Sequence, residues 1–267
     1  MISATKLFLL FLHLGVDFAP YSVIMEYMIK TTLLTQGNAK IVKGEKLGYT
    51  TKGIHLAPAQ LSGFEVCRWR SKGCTASCLN TAGRGRMDSI QKSRIAKTKL
   101  FFTQQLDFLA KLSKEISNSI KTSTKKGMKS VFRLNLTSDI AWESVFFSED
   151  QPKSIFDKFP SIQFYDYTKS FERMKQFIHG ELPSNYHLTF SLSETNQKLG
   201  EMVLGMGGNV AVVFRNQLPK TWQGFEVING DDNDLRFLDK QGVVVGLIEK
   251  GMAKKDSTGF VKEGINS

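Results

Sequence analysis

The sequence predicts an α/β fold: a partial (β/α)6 barrel-like parallel sheet with a cysteine loop after the first core strand. Three observations carry this expectation. Short apolar runs of strand length recur along the chain, and helical periodicity fills the gaps between them. The three cysteines of the 267 residues all fall within one twelve-residue stretch, ahead of most of these runs.

Taken in order, residues 7–16 (LFLLFLHLGV) form an apolar run behind Lys6. A bilayer span takes about 20 residues, so the run is too short to be one. It resembles the hydrophobic part of a secretory signal, yet Asp17-Phe18-Ala19-Pro20-Tyr21 offers no small-x-small cleavage site. Met25 and Met28 are alternative starts. Residues 1–28 are therefore read as a non-native or unstructured extension, and 29–267 as a single α/β domain.

GIHLAPA at 53–59 is the first candidate strand, and the cysteine loop follows it. Ile95, Phe102, Leu106, Leu109, Leu112, Ile116 and Ile120 recur mostly at three or four residues, which predicts one long amphipathic helix over 86–121. Lys125, Lys126 and Gly127 end it. Five further runs are rich in β-branched or aromatic residues: VFRLNL (131–136), IQFYDY (162–167), YHLTFSL (186–192), NVAVVF (209–214) and GVVVGLI (242–248). Stretches 151–158, 170–178 and 194–204 between them read as helical. This alternation implies a mainly parallel sheet of six strands, fewer than the eight of a closed barrel. A doubly wound sheet is the competing architecture, and periodicity does not separate the two.

Ligands of α/β folds bind at the carboxyl ends of the strands. The polar residues there are the candidate cofactor- or substrate-binding groups: Asn135, Ser138 and Asp139 after the first of the five runs; Tyr165, Asp166, Tyr167 and Lys169 at the second; Ser191, Ser193 and Glu194 at the third; Arg215 at the fourth. A lone Ser193 or Thr168 reads as a helix cap, whereas five polar ends in succession point to a pocket. The acidic segment Asn229–Asp234 lacks the spacing and terminal Glu of a calcium loop and reads as a turn. There is no G-x-G-x-x-G after the first strand and no G-x-x-x-x-G-K-[ST], so dinucleotide and P-loop sites have no support.

The cysteines read Cys67-Arg-Trp-Arg-Ser-Lys-Gly-Cys74-Thr-Ala-Ser-Cys78, or C-x6-C-x3-C. An odd number packed this tightly makes a poor disulfide framework and a better metal ligand set. Three thiolates can hold three corners of a [4Fe–4S] cube and leave the fourth iron open. Arg68, Arg70 and Lys72 are expected to lower the thiol pKa values. Zinc is the alternative, with His55 as the nearest fourth ligand and His187 a distant one.

The chain carries 36 Lys+Arg against 25 Asp+Glu, for a net charge of +11, and 41% of it is hydrophobic, which excludes a largely disordered protein. The charge is uneven: residues 29–129 carry +15, against −1 before and −3 after. Such a field attracts a polyanion or a phosphate-bearing substrate, so basic segment 84–129 is a candidate nucleotide or nucleic-acid contact. A solvated helix face is the plainer explanation. No membrane partner is expected, and thiol ligation suits a reducing, cytoplasmic compartment.

Several strings resemble the phage "gene product 88" family: LLTQGNAKI from Leu33, Ser62-Gly63-Phe64, the cysteine loop through Leu79-Asn80-Thr81-Ala82-Gly83-Arg84-Gly85, TSDIAWE (137–143), FYDYTK (164–169), NYHLTFSLSE (185–194), NVAVVF and VVVGLIEKG (243–251). The resemblance covers about residues 33–262 and implies a phage or mobile-element origin without an activity. The order of strand, cysteine loop and six-stranded partial barrel also resembles radical S-adenosylmethionine enzymes. That likeness implies Cys67, Cys74 and Cys78 as cluster ligands and S-adenosylmethionine on the open iron. The usual C-x3-C-x2-C spacing is absent, and Ser77 stands where an aromatic precedes the last cysteine. The expected function is a phage metalloenzyme acting on a nucleotide or nucleic acid; the alternative is a zinc-loop nucleic-acid-binding protein without catalysis.

Overall fold

The computed structural model describes residues 32–36, 42–148, 150 and 152–264, and the reading of residues 1–28 lies outside them. Residues Thr32–Ser267 form one compact unit. Alternation along the apolar runs sends successive side chains to opposite faces of a sheet. Phe164 packs against Phe132 and Phe156, while its neighbour Tyr165 packs on the other face with Val131, Leu235 and Phe237.

Among the described residues the strands are β1 (Leu34–Thr35), β2 (Tyr49–Ile54), β3 (Lys129–Arg133), β4 (Gln163–Thr168), β5 (Tyr186–Ser191), β6 (Val210–Arg215), β7 (Thr221–Trp222), β8 (Phe225–Asn229), β9 (Val244–Ile248) and β10 (Lys262–Glu263). The helices are α1 (Lys72–Ala76), α2 (Asp88–Thr103), α3 (Gln105–Lys125), α4 (Ile155–Lys158), α5 (Phe171–Ile178) and α6 (Gln197–Gly205). The sheet order is β1-β2-β3-β4-β5-β6-β9-β8-β7, with β10 beside β6. Pairing is parallel from β2 through β6 to β9 and on to β8, and antiparallel at the β1 and β7 edges. Strands β2–β6 and β9 lie side by side in chain order, and the order turns back at β9-β8-β7.

Two expected boundaries change. The first strand is shifted: β2 takes only Gly53 and Ile54 of GIHLAPA, and the Ala57 amide donates to the Thr98 hydroxyl (2.8 Å) instead of to a ladder. Pro58 has no amide to offer, and Ala59 adopts a left-handed φ of 52°. The helix expected over 86–121 is two helices broken at Gln104, whose φ of −145° and ψ of 57° leave the helical region. The break lets Phe101 and Phe108 both reach buried Trp142, at 5.2 and 6.3 Å between ring centroids, while Phe102 stacks on Phe64 at 4.6 Å.

The segment between β8 and β9 crosses the Tyr165 face of the sheet, and the acidic turn serves it. Asp234 pairs with the Arg133 guanidinium at 2.9 Å, and that guanidinium lies 4.4 Å over the Tyr167 ring. Asp231 accepts from the Lys250 ammonium (2.6 Å) and the Ile248 amide (3.0 Å). The buried Arg236 takes the Asn233 carbonyl and stands near Asp239. Among the described residues no helix is long and apolar enough to cross a membrane.

Two outcomes are expected. Asp234→Ala leaves the Arg133 charge buried without this carboxylate, and chemical denaturation should show a loss of about 3–5 kcal/mol. Replacing both partners by apolar residues should recover much of it. His187, on β5, has its pKa pushed down to about 4 by burial and by Arg236. The folded state thus favours neutral imidazole, and this contribution is present above the unfolded value of 6.5 and lost as pH falls towards 4. Between pH 7 and 5 the wild type should lose about 2 kcal/mol more than His187→Gln; equal losses would refute the assignment.

Candidate functional site

Residues 55–87 connect β2 to α2 and carry the three cysteines across the carboxyl ends of the parallel strands. Ser71 caps α1 by accepting from the Cys74 amide at 3.1 Å. Glu194, after β5, pins the same turn: it accepts from the Ser71 hydroxyl at 2.6 Å and from the Gly73 amide at 2.7 Å. A Cβ on Gly73 would stand 2.2 Å from Thr258 Oγ1 and 2.7 Å from the Phe260 Cβ, so this close approach requires glycine. Burial works against the Glu194 carboxylate, but the Ser71 and Gly73 bonds outweigh it and hold its pKa below the usual range.

The start of the loop is tied to β3 and β4. The Asp139 amide donates to the Val66 carbonyl at 2.7 Å, and Cys67 Sγ lies 3.7 Å from the Thr137 carbonyl. Asp139 itself is held by Arg173 of α5 (2.8 Å) and the Lys169 amide (2.8 Å). The same guanidinium grips Glu143 through two bonds, at 2.5 and 2.8 Å, and donates to Thr168 and Tyr186 hydroxyls. Burial opposes the Arg173 charge, but Tyr186, Glu143 and Asp139 together hold its pKa above the ordinary value. At Asp139 burial raises the pKa, and Arg173 pulls it back only partly.

The three thiols are half-buried. Burial, with smaller contributions from Cys78 and Cys74, pushes Cys67 up to about 12 against the lowering effect of the Ala59 backbone hydrogen bond. Cys78 is raised too, by burial and then by Cys74, against the lowering effect of Arg94 and Lys169. The three sulfurs are thus near enough for one thiolate to oppose the next. The expectation that Arg68, Arg70 and Lys72 lower the thiol pKa values is corrected here, because burial dominates. Arg68 and Lys72 face solvent, and Arg70 pairs with Glu65 at 3.1 Å. Among the described residues no three His, Cys, Asp or Glu side chains stand close enough to share one metal ion.

The strand-end candidates divide by what already holds them. Lys169 and Ser191 face the loop together: Lys169 Nζ donates to the Ser191 hydroxyl at 2.6 Å and lies 5.7 Å from the Phe260 ring. With Asp139 and Glu194 they adjoin the cysteines. Asn135 is spent internally, its Oδ1 accepting from Ser138 Oγ, the Ile140 amide and Trp142 Nε1. Asp166 is buried under the Asn135 amide (2.8 Å) and the Tyr186 hydroxyl (3.2 Å), with burial raising its pKa to about 7. Ser193 starts the α6 turn through its amide and Asn196. Tyr165 and Tyr167 lie on the face crossed by residues 231–239, and Arg215 binds Glu263 and the Lys254 and Asp256 carbonyls. Arg94, Arg173 and Phe260 were not legible as site residues. Their roles come from partners distant in sequence, and only the polar end TSDIAWE pointed near them.

These features define a mixed α/β protein with a thiol-bearing loop stapled to the carboxyl pole of a parallel sheet. The chain matches the gene product 88 description over residues 32–264 and belongs to that phage family. No curated protein and no solved structure matches it.

Glu194→Ala should cost about 2 kcal/mol, the scale of hydrogen bonds to a charged acceptor. Amide exchange should accelerate chiefly over residues 71–78, and uniform acceleration along the chain would contradict this local role.

Proposed function

We propose that this chain is a phage metalloenzyme of the host cytoplasm whose Cys67, Cys74 and Cys78 ligate an iron–sulfur cluster, and that it acts on a nucleotide or nucleic acid. The observation that carries the reading is the position of the three mutually interacting thiols, on one loop over the carboxyl ends of parallel strands. The donor set fits a polynuclear cluster better than zinc. A structural zinc site takes four protein ligands, and this loop supplies three thiols. A cube asks only one thiolate of each of three irons.

Held by Cys67, Cys74 and Cys78 with one iron left for S-adenosylmethionine, such a cluster would supply one-electron chemistry. The chain's own residues prepare the place. Arg94 and Lys169 offset thiolate charge at Cys78. Glu194 and Asp139 fix the two ends of the loop, and the Lys169–Ser191 pair offers a cation and a hydroxyl beside it. Partial burial of Cys67 and Cys78 limits the access of water to the sulfurs. We read the sheet as a partial barrel, supported by the run of parallel strands β2–β6 and β9 in chain order and by the 231–239 segment lying across one face.

Anaerobic purification and reconstitution test the proposal. Brown protein with iron and sulfide in equal amounts is expected, and Cys67→Ser, Cys74→Ser and Cys78→Ser should each lose most of the bound iron while keeping the fold. Colourless protein with stoichiometric zinc would overturn it.

A further inference from the structure

The cysteine loop has an outer face that the cluster does not use. Trp69 is 48% exposed, and the Arg68 guanidinium stands 5.5 Å from its ring centroid. Among the described residues no carboxylate pairs with Arg68 or Lys72, whereas the cations that act on Cys78 are Arg94 and Lys169. The loop's own positive charge is therefore directed outward. Beside Trp69, residues Arg70, Ser71, Lys72, Thr75 and Ala76 line an open depression of about 450 Å³. The Ser71 and Thr75 hydroxyls there donate to Glu194 and to the Ser71 carbonyl, and Arg70 pairs with Glu65, so the Lys72 ammonium is the donor this depression offers to a phosphate oxygen.

The charged field continues around it. The turn Gly83–Arg86 presents exposed Arg84 and Arg86. The turn Gly251–Lys255 presents exposed Lys254 and Lys255, and Gly251 packs so close to Ala82 that a Cβ there would lie 3.1 Å from the Ala82 methyl. The two turns are thus neighbours on one rim, and the nearest acid of the cysteine loop, Glu65, is already paired with Arg70.

We propose that this face is a docking platform for single-stranded nucleic acid, with Trp69 stacking on a base and Arg68 and Lys72 contacting the phosphates. An exposed aromatic set among cations is what a single strand recognises: the ring accepts any base, and the cations follow the backbone. The platform rests on the nucleic-acid part of the proposed function and places the strand beside the thiols, which lie on the inner side of the same loop. Arg84 and Arg86 extend its path along the pole.

The test is fluorescence titration of the full chain with an oligothymidylate of about 12 nucleotides. Quenching of tryptophan emission is expected and should vanish in Trp69→Ala, since Trp142 is fully buried and the half-buried Trp222 lies on the β7 edge strand. Affinity should fall as salt rises, Trp69→Ala should weaken binding about tenfold, and Arg68→Ala or Lys72→Ala should each reduce the salt slope by about one. All three side chains are exposed, so unchanged thermal unfolding of the variants serves as the fold control. Equal affinity in the wild type and Trp69→Ala would overturn the platform. So would a single nucleotide binding as tightly as the strand, or binding to phosphatidylserine vesicles without binding to the strand. Iron is measured on the same samples. A strand-binding protein without a cluster refutes the redox reading alone, and a cluster-bearing protein indifferent to strands refutes the platform alone.

Discussion

The Arg173 guanidinium is the constraint on which the carboxyl pole depends. It leaves α5, grips both oxygens of Glu143 and one of Asp139, and reaches hydroxyls on β4 and β5. An isolated buried cation is costly, so this side chain is tolerated only because nearly every donor finds an acceptor. The consequence passes along the backbone. Fixing Asp139 fixes its amide on the Val66 carbonyl, which sets where Cys67 meets Thr137. Lys169, whose amide binds the other Asp139 oxygen, is aligned by the same carboxylate.

A second anchor holds the far side of the loop. Glu194 reaches it from the end of β5 and secures Ser71 and Gly73, so Cys74 begins a short helix with a capped first turn. The two anchors come from different strands, and the thiols lie between them. A loop held at both ends by charge-assisted bonds loses less freedom when its side chains take up a ligand, which is the usual benefit of preorganisation. The raised thiol pKa values fit this arrangement: a buried thiol is a poor free nucleophile, and a metal displaces its proton directly.

Much of the fold was legible because strand-length apolar runs between helical patterns leave few topologies. All five later runs contain a strand within a few residues of the expected bounds. The first strand was misplaced because GIHLAPA has strand composition, while the backbone there is claimed by Thr98 and turned at Ala59. The helix break at Gln104 left no Gly or Pro to read and serves aromatic packing across the fold. The β7–β8 hairpin is short and half-exposed, so it carries no strong apolar signal. Strand-end polarity located the pole but not its division of labour. Asn135, Asp166 and Ser193 are spent on internal bonds, and their partners lie on other elements. Arg173 looked like an ordinary helix cation because its acids stand 30 and 34 residues away.

The central claim is that three thiolates of one anchored loop hold a cluster with one iron open. Mössbauer spectroscopy of protein loaded anaerobically with isotopically enriched iron reads this most directly. The expected spectrum separates one iron site from the other three, and that site alone shifts when S-adenosylmethionine is added. Four irons that respond alike, or iron bound only as isolated ions, would contradict the claim.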